Sequence, residues 1–100
     1  MNEIKETLSQ GGWNITYDEF HIDFSVPCAQ QLNELNEDLL QASANNFIID
    51  IGWYPEGDPE GKIISLLIKD HNWQKPILHF EDTNYADFKK HICLLTEYGE

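Results

Sequence analysis

The chain has 100 residues, with eighteen carboxylates against six lysines, no arginine, and a formal charge of −12 at pH 7. Charge of that density repels phosphate and opposes compaction, so direct nucleic-acid binding is disfavoured and the field points to a basic partner. With 41% apolar residues in patterned runs, the expected state is one folded domain covering 1–100, not a disordered chain.

A short amphipathic helix built on Ile4 and Leu8 can open the chain. Trp13, Ile15 and Tyr17 then alternate on odd positions, and Phe20, Ile22, Phe24 and Val26 on even ones. A turn at Asp18 and Glu19 reconciles the two phases as a hairpin, with a bulged continuous strand as the competing reading. Ser25 and Pro27 read as the cap and first turn of a helix whose stripe is Cys28, Leu32, Leu35, Leu39 and Ala42, ending near Asn45 and Asn46. On that helix Glu34, Glu37 and Asp38 lie away from the stripe, as a solvated face.

Phe47 to Tyr54 is a strand with Phe47, Ile49, Ile51 and Trp53 on one side, and its partner runs from Lys62 to Lys69. The prolines and glycines between Pro55 and Gly61 stop both. A turn through Asp70, His71, Asn72 and Trp73 leads to a short strand, Ile77 to Asp82. Asn84, with Asp87 three residues on, caps a last helix carrying Tyr85, Phe88, Ile92 and Leu95. The order implies an α+β fold: a single two-layer domain, a mostly antiparallel sheet of about five strands, and two main helices on one face. The other face is then partly open, with Asn14, Thr16, His21 and Asp23 at one side and His79 and Glu81 at the other.

Candidate chemistry is sparse. His21 with Asp23, and His79 with Glu81, each place a base beside a carboxylate on one strand face, the arrangement a small enzyme or a metal site would need. No nucleophile accompanies them, and Cys28 and Cys93 read as free thiols without zinc spacing. Glu56, Asp58 and Glu60 lack the spaced oxygen ligands of a calcium loop. No catalytic residue, metal or cofactor is therefore assigned. Acids next to aromatics fit a protein-binding surface better, because rings supply desolvated anchors while carboxylates steer and pair with lysine or arginine. The candidate contacts are Tyr54, Glu56, Asp58, Glu60, Asp70 and Trp73, with Asp18 and Glu19 as a second cluster; Trp53, in phase with Phe47, Ile49 and Ile51, reads as core.

The stretch Gly52, Trp53, Tyr54, Pro55, Glu56, Gly57, Asp58, Pro59, Glu60, Gly61, followed by a β-run and then Asn72, Trp73 and Pro76, resembles the immunity proteins of bacterial polymorphic toxin and contact-dependent growth inhibition systems. The resemblance implies a small acidic protein that binds and blocks a cognate toxin domain. The toxin is often a nuclease, and basic because its own substrate is RNA or DNA. It brings no family-wide catalytic residue. A regulatory adaptor or a nucleic-acid mimic is the alternative for such a surface. Met1 to Glu6 has neither the basic start nor the apolar stretch of a signal peptide, and no apolar run approaches the ~20 residues that span a bilayer, so a cytoplasmic protein with no membrane role is expected.

Overall fold

Residues 2–98 are described by a computed structural model. Helix α1 (Asn2–Gln10) precedes strands β1 (Asn14–Asp18), β2 (Leu40–Ala44), β3 (Phe47–Tyr54), β4 (Lys62–Lys69) and β5 (Leu78–Asp82), and helix α2 (Tyr85–Tyr98) closes the chain. The strands form one antiparallel sheet in sequence order. The architecture is the two-layer α+β domain expected, with both helices on one face. Alternation decides which face that is. Ile49, Ile51 and Trp53 of β3 and Ile63 and Leu67 of β4 point inward, where they join Ile4 and Leu8 of α1 and Phe88, Ile92 and Leu95 of α2 in one buried core. Each large apolar side chain closed off in this way contributes roughly 1.5–3 kcal/mol.

The helices are tied at their solvent side as well. Glu3 Oε2 accepts from Tyr85 Oη at 2.7 Å and from Lys89 Nζ at 2.8 Å. Asn84 caps α2 as anticipated: its Oδ1 accepts the Asp87 N–H, and its Nδ2 donates to the Asp87 carboxylate.

Two expected elements are replaced. The second helix over 27–44 does not form. In its place are two 3₁₀ turns (Cys28–Gln30 and Leu32–Glu34), an extended segment and then β2, so the second helix of the layer is α1. Ala42 shares helical spacing with Leu35 and Leu39, but Leu40, Ala42 and Ala44 also alternate with Gln41 and Ser43. Pairing with strands on both sides settles the matter. Asn45, at φ 54°, and Asn46 form the two-residue turn from Ala44 to Phe47. Asparagine tolerates that conformation in a hairpin as well as at a helix end, which is why the signal was ambiguous.

The hairpin at Asp18 and Glu19 is also absent. The chain leaves the sheet there and lies over the core without a ladder partner. Its alternation still reports burial. Phe20 and Ile22 are fully covered, Phe20 stacks on Phe88 at 5.8 Å between centroids, and Phe24 meets Tyr85 at 5.1 Å. Side chains satisfy the backbone in place of a strand. Gln31 Oε1 accepts the Asp23 N–H, while Gln31 Nε2 donates to the carbonyls of Asp23 and Val26.

Residues 35–39 extend β2 past a bulge: Leu39 N–H donates to Ile51 O, Trp53 N–H to Asn36 O, and Gly57 N–H to Leu35 O. The Glu37 carbonyl sits over Gly52 so closely that a Cβ there would lie 2.0 Å from its oxygen. Gly52→Ala is therefore expected to cost about 1–3 kcal/mol in a urea titration, because backbone, not a flexible side chain, must move. Ser65, on the inner face of β4, is fully buried and its hydroxyl has no hydrogen-bond partner among the described residues. Ser65→Ala should leave stability unchanged or raise it by about 1 kcal/mol, and a clear loss would contradict the orphaned hydroxyl.

Candidate functional site

The layer of helices covers only the inner side of the sheet. The outward residues of β3 are Ile48, Asp50, Gly52 and Tyr54, and those of β4 are Lys62, Ile64, Leu66 and Ile68. Ile48, Ile64 and Leu66 are half-buried. Beside this apolar strip the bulge over Gly52 brings Glu37 and Asp38 to the same face. A Cβ on Gly52 would also touch the Tyr54 ring, at 2.9 Å. Lack of a side chain at one position thus lets an acidic segment and a tyrosine close over the central strand.

Next to the bulge is a hollow of about 270 Å³ lined by Tyr17, Asp38, Leu39, Leu40, Gln41 and Asp50. Its electrostatics are set by Asp50. Burial pushes this carboxyl above the usual aspartate range and the Asp38 charge adds to the rise, whereas the hydrogen bond from Gln41 Nε2 at 3.0 Å works the other way. Tyr54 responds to the same surroundings: burial raises its phenol first, and then the charges of Asp50, Glu37 and Asp38. Tyr17, 43% exposed, forms an open aromatic wall.

Sequence-derived candidates divide between two ends of the sheet. Tyr54, Glu56, Asp58 and Glu60 cluster where β3 ends, and Asp18 and Glu19 lie at the same end through the pairing of β1 with β2. Asp70 and Trp73 lie at the other end. Asp70 N–H donates to Asn46 O, so these residues are separated from the 55–61 loop by the length of β4, roughly 25 Å for eight residues. They share no surface with the loop, although Trp73 is 44% exposed.

Several of the acids also have local duties. Glu56 Oε1 accepts the Glu37 N–H, and Asp58 Oδ1 accepts that of Glu60. Trp53 is core, as its phase implied, and its indole donates to the Asp58 carbonyl at 2.7 Å. Asp18 bonds Lys5 at 2.8 Å and accepts the Phe20 N–H; burial opposes ionisation, yet these partners hold its carboxyl below the usual value.

The acid–base pairs are reassigned. His21 meets Glu19 at 3.3 Å instead of Asp23, whose carboxylate caps Ser25, because no strand is present to align them. His79 does meet Glu81, at 3.1 Å on an exposed edge, and Lys62 approaches the same carboxylate at 3.6 Å. A third pair was overlooked: His91 Nδ1 lies 2.8 Å from the buried Asp82, with the Phe80 ring stacked 4.0 Å from the imidazole. It fastens α2 to β5, and among the described residues no hydroxyl or thiol hydrogen-bonds to this histidine. Cys28 and Cys93 are free and half-buried. Among the described residues no three histidine, cysteine or acidic side chains come together as metal ligands, and no helix is long and apolar enough to cross a membrane.

No protein-family model, curated protein or solved structure matches the chain. The site must therefore be judged on its geometry. Asp50, Glu37, Asp38 and Tyr17 were not among the sequence-derived candidates. For Asp50 a signal was available, since it is a lone carboxylate inside the run from Phe47 to Ile51.

Asp50 should cost the fold stability at neutral pH. A carboxyl whose folded pKa is raised gives its full contribution below the unfolded value of about 3.9 and loses it as pH rises through the folded value. Asp50→Asn, which keeps an oxygen for Gln41, is accordingly expected to be more stable than the parent at pH 7, with the advantage vanishing near pH 3. Urea titrations at the two pH values measure this, and an equal difference at both would remove the burial of charge as its cause.

Proposed function

We propose that the chain is an immunity protein: it binds a basic toxin domain, most naturally a nuclease, and blocks it through the open face and acidic end of the sheet. One observation carries the reading. A half-buried apolar strip, the half-buried Tyr54 and the exposed Tyr17 lie beside Glu37, Asp38 and Asp50, with Glu56, Asp58 and Glu60 at the adjoining loop, and Lys5 and Lys62 are already paired, with Asp18 and Glu81. Such a surface is complementary to the groove a nuclease keeps positive for phosphate, and carboxylates placed there take the positions phosphates would occupy. The resemblance of the 52–61 stretch to immunity proteins agrees with it.

Size limits how the complex is built. Two strands of eight residues and three of five, about 4.8 Å apart and rising about 3.3 Å per residue, present roughly 500 Å², less than the ~800 Å² each partner contributes to a standard interface. The loop from Pro55 to Gly61 and the bulge at Glu37 and Asp38 must add to it. A cytoplasmic location belongs to the same proposal, since immunity must act where the toxin does its damage. The enzyme alternative receives less support, because among the described residues no hydroxyl or thiol hydrogen-bonds to the exposed His79–Glu81 pair.

The test is to mix the purified chain with the toxin domain encoded beside it. Near-stoichiometric inhibition is expected; full toxin activity in the presence of excess chain ends the proposal. Steering is tested separately by Glu56→Gln, Asp58→Asn and Glu60→Gln in one variant, which removes three charges while keeping the capping oxygens. Its association rate should fall about tenfold at low salt and converge on that of the parent at high salt. An unchanged rate at low salt would take the loop out of the encounter.

A further inference from the structure

Tyr17, Gln41, Asp50, Leu66 and His79 form one row across the outer side of all five strands. Asp50 is at its middle, and the hollow lies on the β1 side, where Tyr17, Gln41 and Asp50 line it. We infer that this hollow is a socket for one lysine or arginine side chain of the partner, with Asp50 and Asp38 pairing its charge and Tyr17 covering its stem. The inference rests on the partner-binding reading above and names the central contact of that surface.

Each wall narrows the occupant. Tyr17 gives the hollow an open aromatic wall along which an aliphatic stem can lie, while Asp38, Gln41 and Asp50 make the rest of its lining polar. An uncharged apolar group would strip water from two carboxylates and return nothing to them, and an anion would be repelled. Two carboxylates make a poor cage for a bare divalent ion, which needs more oxygens. A cationic head on an apolar stem meets all these demands, and an aromatic wall favours it further. The site also lacks a cation of its own: among the described residues the hydrogen bond to Asp50 comes from the neutral Gln41, and no lysine pairs with Asp50 or Asp38. The charge that burial makes costly at Asp50 therefore finds its counterion in the complex.

A second copy of the chain is the poorer occupant. Each copy carries a net charge of −12, and a face-to-face dimer would oppose the same acids.

The full-length chain, labelled with 15N, is titrated with N-acetyl-arginine amide and N-acetyl-lysine amide, and with N-acetyl-citrulline amide as the neutral counterpart. Saturable shifts are expected at the Gln41 side-chain amide and at the backbone amides of Tyr17, Asp38 and Asp50, for at least one of the cations and not for citrulline. Asp50→Asn should weaken the response about tenfold, the weight of one charge-assisted contact. Asp38→Asn is the second variant and removes the other charge of the hollow. A response spread evenly over every acid of the chain, an equal response to citrulline, or an unchanged response in both variants overturns the socket. Shifts at the same residues that grow with protein concentration alone would also overturn it, in favour of self-association. Since the titration uses no toxin, a silent hollow in a chain that still neutralises its toxin removes only the socket. A responsive hollow in a chain that inhibits no toxin keeps the socket and removes the immunity proposal.

Discussion

The two-sided character of β3 is the constraint on which the other features depend. Its inward residues, Ile49, Ile51 and Trp53, are almost completely buried and give both helices a floor. Its outward residues have no such cover. A register slip of one residue would turn Asp50 into the core and expose three large apolar groups, so the pairing with β2 and β4 is fixed by burial. Gly52 then determines what the outward side can be. With any side chain at that position the 35–39 segment would have to lift away, and Glu37 and Asp38 would lose their place beside Asp50. One missing Cβ thus links the fold of an irregular segment to the charge pattern of the exposed face.

Legibility in the sequence follows the same division. The strands β3, β4 and β5 and the helix α2 each have one period that fits and punctuation at both ends: prolines and glycines after Tyr54, and the Asn84 cap before α2. Residues 19–44 are different, because their local signals support more than one structure. The spacing of Leu35, Leu39 and Ala42 suits a helix, yet Leu40, Ala42 and Ala44 suit a strand, and only the long-range pairing with β1 and β3 chooses between them. No propensity reveals that the Gln31 side chain will stand in for a neighbouring strand. Burial was easier to read than secondary structure: Phe20 and Ile22 are core even though the segment carrying them is not a strand.

The site inherits these errors. Glu37 and Asp38 read as a solvated helix face because the helical spacing of Leu35, Leu39 and Ala42 runs through them, and their actual position follows from the bulge opposite Gly52. Asp70 and Trp73 share the acidic and aromatic composition of the 55–61 loop, but the strand from Lys62 to Lys69 puts the two turns at opposite ends of the sheet, so composition alone groups residues that do not share a surface. The acidic loop itself was legible, since prolines, glycines and carboxylates together leave little choice but an exposed turn. What could not be read was that Glu56 and Asp58 also hold backbone N–H groups, so that their charge and their hydrogen bonding have to be separated by isosteric changes.

A net charge of −12 is costly to a domain of this size, and its arrangement suggests two different uses. Carboxylates at the loop are exposed and screened by salt, so under the proposed function they would act mainly on the rate at which a basic partner arrives. Asp50 is half-buried on the central strand, where screening is weaker and where its ionisation opposes folding. Natural sequences readily lose destabilising groups that have no use, because stabilising substitutions are common and usually harmless to the fold. A carboxylate kept between Ile49 and Ile51, repelled by Asp38 and given one neutral hydrogen bond, is hard to account for in the free protein. Under the proposed function, a partner cation at Asp50 would be the contact that slows dissociation, so steering and retention would fall to different acids of the same face.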